Sequence, residues 1–356
     1  MSASITGLSD AGLTTRLLAD STSLKSRMDQ LTAESASGLV SSTYSGLGSG
    51  GRVSLDLNPV IAAAQAEQTN ISVANTRLSV TQNAMSQISA IASQFYTSTL
   101  SLTSQTSSEV DTVAVQAQQA LQQVASLLDT QDGGVYVFAG QDTANPPVPD
   151  PENILNSNFV TQIQSAVAGL AANGGAATAA ATLAAAEAPA NSPFSATLGT
   201  QQATVQLAPG QTIPVGIIAN QNATAVQTGT STTGSYIVDL MRSLATLASL
   251  NGGQASLGQP FQDLLQDSTT SLTGVISAMA TDTATLGSTQ DELTSINNGL
   301  TSTVNALTTQ VSDVQDVDMT TTATQLSQVQ TQLQASYKLI ADLSNFSLVT
   351  FMSSTA

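Results

Sequence analysis

Two long segments of 3-4 apolar alternation, far apart in the chain, constrain this fold more than any other feature. The first runs Leu78, Thr81, Met85, Ile88, Ala92, Phe95, Thr99, Leu102 and, after a slip of phase, resumes as Val110, Val113, Ala117, Ala120, Val124, Leu127. The second runs Leu286, Thr289, Leu293, Ile296, Leu300, Thr303, Leu307. On a helix this spacing gathers one stripe on one face, and a slip changes the local supercoil without ending the helix. A helix from near Pro59 to Leu128 rises about 1.5 Å per residue, on the order of 100 Å in all, and such a rod cannot bury its stripe alone. The two segments are therefore expected to pack antiparallel, bringing both chain ends to one end of the molecule and the middle of the sequence to the other.

Shorter heptads occupy the extreme ends: Leu17, Ser21, Leu24, Met28, Leu31, Ser35 and Leu326, Val329, Leu333, Ser336, Ile340, Leu343, Ser347. A Ser at alternate core positions forfeits buried apolar area worth about 25 cal/mol per Å². The ends are thus expected to be poorly ordered in the free protein and to become helical against other copies. The competing expectation is a terminal helix pair docked on its own core. The assembly interface is placed on Leu17, Leu24, Met28, Leu31, Leu326, Val329, Leu333, Ile340, Leu343 and Leu348.

Between rods and ends, Tyr44 to Arg52 (YSGLGSGGR) is a glycine cluster that reads as a hinge or connector. Asn145-Pro-Pro-Val-Pro-Asp-Pro is expected to stop the first rod, and Phe159 to Ala188 reads as helix interrupted at Asn173-Gly-Gly. Ala203 to Ile218 alternates around a Pro-Gly turn, as a β-hairpin does. The fold class is mainly α with an inserted α+β module: a long antiparallel helical rod with coiled-coil terminal helices. The expected divisions are terminal helices over 1–44 and 311–356, a helical rod over 45–140 and 240–310, and the inserted variable domain over 141–239.

Composition narrows the chemistry. The 356 residues hold no His, Cys or Trp, which removes imidazole and thiol nucleophiles and bases and the ligands on which zinc, copper, haem and iron–sulfur sites depend. Charged residues are only 9% of the chain, with a net charge of −17, so Ser, Thr, Gln and Asn must cover the surface. Five of the seven bases lie at Arg16, Lys25, Arg27, Arg52 and Arg77, and Leu78 to Met241 contains none. Binding to nucleic acid or to an anionic membrane is disfavoured accordingly. No basic n-region with an apolar run marks a secretory signal, and no apolar run of about 18 residues marks a membrane span. The lack of Cys does not by itself fix a redox compartment.

Sharper signals have plainer explanations. Gly46-Leu-Gly-Ser-Gly-Gly51 lacks the preceding strand that a phosphate-cradling turn needs and reads as a connector. Asp313, Asp316 and Asp318 fall in a helix pattern and read as a solvated face rather than a calcium loop. Asp129-Thr-Gln-Asp132-Gly-Gly134 is loop-like, with a weak cation site as the alternative, and is sufficiently explained as a helix stop with a glycine cap. Paired carboxylates for glycoside hydrolysis are poorly supported with 3% aromatic residues and no Trp. Tyr136 and Phe138 are read as a short strand that closes the end of the rod. No catalytic, cofactor or metal residue is assigned, and the chain is expected not to be an enzyme.

This arrangement resembles the flagellin superfamily, whose axial proteins carry complementary coiled-coil termini and a variable module spliced into a helical rod. Gly134-Val-Tyr136-Val-Phe138-Ala139-Gly140, followed by Pro146-Pro147, is similar to the G-x-Y-x-F-A-G…P signature of the hook-associated protein 3 type. The stretch Leu333-Gln-Ala-Ser-Tyr to Phe351 is similar to the family ending, and Leu31 to Gly38 matches its A-S-G position. The resemblance covers roughly residues 1–145 and 235–356. Where the family continues with Ser-Asp-Asp-Pro, this chain has Gly48-Ser-Gly-Gly-Arg with Asp56-Leu-Asn-Pro59 further on. The resemblance implies an adaptor at the hook–filament junction, joining hook-associated protein 1 to flagellin. It also implies self-association in a ring or helix, an export chaperone, and an extracellular location reached by type III export without a cleaved signal. Flagellin itself, or an extracellular carbohydrate-binding or adhesive protein with 141–239 as its head, are the alternatives.

Overall fold

The computed structural model describes the backbone of residues 3–102, 107–208, 210–220 and 232–353, and side chains over 12, 15–102, 107–207, 210–220 and 232–343. The chain forms two compact units, Met1–Gln65 with Thr301–Ala356, and Ala66–Leu300. The helices are α1 Ala3–Ser37, α2 Gly50–Leu102, α3 Ser107–Leu128, α4 Asn158–Ala168, α5 Leu170–Asn173, α6 Gly175–Glu187, α7 Tyr236–Ala248, α8 Gln259–Gln315 and α9 Met319–Ser353. Two small antiparallel hairpins, β1 Gln131–Asp132 with β2 Val135–Tyr136 and β3 Ala203–Ala208 with β4 Gln211–Val215, complete the order. Among the described residues no helix is long and apolar enough to cross a membrane.

In the unit Ala66–Leu300 the expected stripe is the core. Leu78, Thr81, Met85, Ile88, Ala92, Phe95, Thr99 and Leu102 are all buried, as are Leu286 and Leu293 on α8. The two stripes meet antiparallel: Gln290 Nε2 donates to Ser79 Oγ at 2.9 Å, and Gly287 lies beside the Gln82 side chain. Thr81 and Thr99 tolerate burial because each hydroxyl donates to the carbonyl one turn back, Arg77 and Phe95. On α8 the exposed Thr303 departs from the expected stripe, which passes instead through half-buried Val304. Leu300, Val304 and Leu307 follow a 4-3 spacing, a stutter that restores phase where strict alternation would drift off the face. The continuity of helix across the phase slip falls on residues 103–106, outside the described residues.

The least anticipated element is α7, which buries twelve of its thirteen residues. A helix enclosed on every side is ordinarily apolar all round, yet this one carries Asp239, Arg242, Ser243 and Thr246. Each charge is answered. Asp239 accepts from Thr232 Oγ1 at 2.6 Å and from the Thr233 amide at 2.8 Å, while Arg242 pairs with Asp267 of α8 at 3.0 Å and donates to Thr182 of α6. Tyr236 donates to Asp282 of α8 at 2.8 Å, and burial together with that carboxylate pushes the phenol well above its usual range. Around α7 pack α3, α4 and α6. The alanine-rich region is the interrupted helix expected: α6 presents Thr178, Ala179, Thr182 and Ala186 to the interior, and Gly174 breaks the chain at φ +81°.

Two glycine-rich segments differ from expectation. The long helix begins at Gly50 rather than near Pro59, so the end of the glycine cluster forms its first turn and Pro59 lies inside it. Glycine is needed there because a Cβ on Gly51 would overlap the Tyr44 carbonyl, which belongs to the 3-10 turn Tyr44–Leu47. Helix α3 ends at Leu128, at the expected helix stop, but Gly133 and Gly134 (φ +59° and +86°) form the two-residue turn between β1 and β2 rather than a helix cap. Two consecutive positive φ angles define the type I′ turn that suits a twisted hairpin.

Breaking the Arg242–Asp267 pair from one side strands a buried charge. Asp267→Ala should lower the unfolding free energy by roughly 3–5 kcal/mol in urea titrations, and Arg242→Met with Asp267→Leu should recover most of it.

Candidate assembly interface

The terminal helices meet each other within one chain. Helices α1 and α9 pack antiparallel, with Arg27 Nη2 donating to Gln325 Oε1 at 3.2 Å and Leu39 bridging Asp316 at the far end. The heptads fix the contact face. Leu31, Val329 and Leu333 are buried; Leu17, Leu24, Met28, Leu326, Ile340 and Leu343 are half-buried; and Ser21 and Ser336 are buried among them. The side chain of Leu348 lies outside the described residues. Arg27, Gln30 and Glu34 run along the seam as a polar ladder: Arg27 Nη1 donates to Gln30 Oε1 and Gln30 Nε2 to Glu34 Oε1.

Within one chain these residues face the other terminal helix, the arrangement of a terminal helix pair. The physical reason is proximity. Two complementary seams on one chain meet at a higher effective concentration than seams on separate chains. What remains outward is a different set. Leu18, Tyr337 and Leu339 are 60%, 50% and 53% exposed, and Met319 at the start of α9 is exposed too. The sequence carries their signal: each of the first three stands directly beside a seam residue, Leu17, Ser336 or Ile340, at a position where a two-helix seam asks for a polar residue.

The Gly134–Gly140 motif lies in the other unit and ties the chain leaving α3 to the inserted module. Phe138 and Ala139 are fully buried and Tyr136 half-buried, with Val137 buried between them. The run therefore departs from simple strand alternation beyond β2. Ala139 bridges Ile218, the Phe138 carbonyl accepts from the Ala219 amide at 3.0 Å, and the Tyr136 amide donates to the Thr143 carbonyl. Gly140, at φ +62°, has no room for a side chain, since a Cβ would come within 2.6 Å of the Gln201 carbonyl. Just before the motif, Asp129 accepts from the Val148 amide at 2.9 Å, and burial pushes its carboxyl up to about 6 against that hydrogen bond.

Asp313, Asp316 and Asp318 do not share one helix face. Asp313 lies in the last turn of α8, Asp316 sits in the link, and Asp318 caps α9 by accepting from the Thr320 and Thr321 amides and the Thr321 hydroxyl. The Thr321 hydroxyl, then the Thr321 and Thr320 amides, hold its carboxyl below the usual range. Among the described residues no cluster of three potential metal ligands occurs.

Comparison with known proteins gives this architecture its class. The bacterial flagellin N-terminal helical region matches residues 10–143, and the bacterial flagellin C-terminal helical region matches residues 269–352, together well over half of the chain. The chain belongs to the flagellin family, and with it to the structural, non-enzymatic proteins of the bacterial flagellum that assemble with other flagellar subunits. Among solved structures it is similar to one described as a flagellar hook-associated protein from Vibrio parahaemolyticus, at 12% identity and a TM-score of 0.52. That likeness covers 75% of this chain and 97% of the other, and at this identity it is one of fold. No curated protein matches the chain.

Leu333→Asp places a charge in the seam, so circular dichroism should lose helix up to the extent of α1 and α9 while the unit Ala66–Leu300 keeps its own urea transition. Asp129 binds a proton more readily folded than unfolded, so folding gains stability as pH falls from about 6 to about 4. Asp129→Asn keeps the acceptor without the charge. It should be about 1 kcal/mol more stable than the parent at pH 8, after allowance for solvent screening. The gap should close by about pH 4 in thermal melts.

Proposed function

We propose that this chain is the adaptor at the hook–filament junction, joining hook-associated protein 1 on one side to flagellin on the other. The observation that carries this reading is the run Gly134 to Gly140 with Pro146-Pro147, similar to the signature of hook-associated protein 3 and built here into the base of the inserted module. The fold likeness to a hook-associated protein supports it. On this reading the molecule works in three parts: terminal helices over 1–44 and 311–356, a rod over 45–140 and 240–310, and a variable head over 141–239. It is exported unfolded and uncleaved through the flagellar type III channel, with a dedicated chaperone, and acts outside the cell.

The mechanism is assembly by unlike faces. A head-to-tail packing presents one surface to the subunit below and another to the one above, and an adaptor needs those two surfaces to match different neighbours. The α1–α9 pair supplies the contact surface through Leu18, Tyr337 and Leu339, with the seam residues Leu17, Leu24, Met28, Leu31, Leu326, Val329, Leu333, Ile340 and Leu343 holding the pair in shape.

Two experiments separate these roles. Deleting the gene in its own host should leave bare hooks by electron microscopy and shed flagellin into the medium, whereas normal filaments would remove the junction reading. Leu18→Asp combined with Leu339→Asp should leave the circular dichroism of the purified chain unchanged while failing to restore filaments to the deletion strain. Full restoration would show that the outward residues make no contact in assembly.

A further inference from the structure

The unit Met1–Gln65 with Thr301–Ala356 contains two breaks between long helices, one after α1 and one between α8 and α9, and they lie side by side. The Val40 amide donates to the Gln315 carbonyl at 2.8 Å and the Val317 amide donates to the Gly38 carbonyl at 2.9 Å, with Leu39 opposite Asp316 as an antiparallel pair. Each helix end is closed by its own chain. The Gly38 amide returns to Glu34 at φ +72°, the Asp316 amide returns to Ser312, and Asp318 caps α9. The backbone groups left over are the ones that join the two links.

We propose that these links form a single joint, so that α1 and α9 are held, bent or released as one body and the order of each link depends on the other. Two ladder bonds between strands this short are marginal in water, which makes the joint the least costly place to bend. Packing is thin on one side as well: a cavity of about 430 Å³ opens beside the joint, lined by Leu39, Ser41, Thr43, Tyr44, Leu47 and Gln315. Val40 and Tyr44 are exposed there. Gly50 lies against Val314, so the first turn of α2 backs the same joint. A hinge on one link alone would have to break both ladder bonds; bending both together keeps them. The pairing does not depend on which flagellar neighbours the chain meets.

Hydrogen exchange on the full chain tests the coupling. Val40→Pro removes one donor near the N-terminal end of the sequence. Exchange should then speed up at least tenfold at the Val317 amide and in the first turn of α9, whose sequence is untouched. A change confined to residues around Val40 would overturn the proposal. Should the variant lose helix, loss from both α1 and α9 supports coupling and loss from α1 alone overturns it. A stabilising variant gives the reverse test. Leu39 and Asp316 form a non-hydrogen-bonded antiparallel pair, with Cα atoms about 4.5 Å apart, close enough for a disulfide, and the natural chain has no cysteine to compete. Leu39→Cys with Asp316→Cys should close an intrachain disulfide in dilute protein and slow exchange at both Val40 and Val317 at least tenfold, reversibly with reductant. Failure to close, or protection of one link only, contradicts a single joint.

Discussion

A long amphipathic helix cannot bury its own apolar stripe, and the whole structure follows from how this chain meets that constraint. Helices α2, α3 and α8 turn their stripes to one another or to α7, and α1 and α9 turn theirs to each other. Helix formation itself contributes little net stability in water, so the segments are helices because the seams hold them. The consequence for function is that the deepest apolar positions are spent on folding a single chain. Assembly must draw on what is left outside the seams.

That residue of surface is unevenly divided. Nine of the twelve large apolar side chains that stand exposed among the described residues belong to the unit Met1–Gln65 with Thr301–Ala356: Leu18, Val40, Tyr44, Val53, Leu55, Val60, Met319, Tyr337 and Leu339. The same unit holds five of the seven bases, Arg16, Lys25, Arg27, Arg52 and Lys338, all exposed. The other unit has Arg77, half-buried, and Arg242, enclosed and paired with Asp267. Its surface is acidic and hydroxyl-rich, suited to contact with water and to keeping copies apart, while apolar and opposite-charge contacts are available on the terminal unit.

Much of this was legible in the sequence because helical period and hairpin alternation are written in single residue types. The stripe from Leu78 to Leu102, the terminal heptads, the interrupted alanine helix and the β3–β4 hairpin all appear where the spacing places them. The failures share a cause. Gly51 sits in the first turn of α2 because only glycine clears the Tyr44 carbonyl, Gly133 and Gly134 turn a hairpin because the strands on either side pair, and Val304 replaces Thr303 because the stripe must stay in phase with its partner. Each outcome is decided by a neighbour outside the local window. Helix α7 escaped notice for the same reason, since its Asp239 and Arg242 read as surface until Thr232, Thr233 and Asp267 answer them. Within the chain the terminal seam residues face each other across α1 and α9, a pairing the heptads leave open because a heptad declares that a face wants a helix without saying whose.

The central claim is that the two chain ends are each other's partner within one molecule. Cross-linking tests it directly, using Arg27→Cys with Gln325→Cys, positions whose long native side chains meet across the seam in a chain otherwise free of cysteine, and a bismaleimide long enough to span the gap those side chains fill. Treated at low micromolar concentration, the variant should run as a monomer closed by an internal link, with helix content unchanged. Cross-linked dimers forming in its place, or no link at all until the protein is polymerised, would show that the seams belong to neighbouring copies and contradict the account.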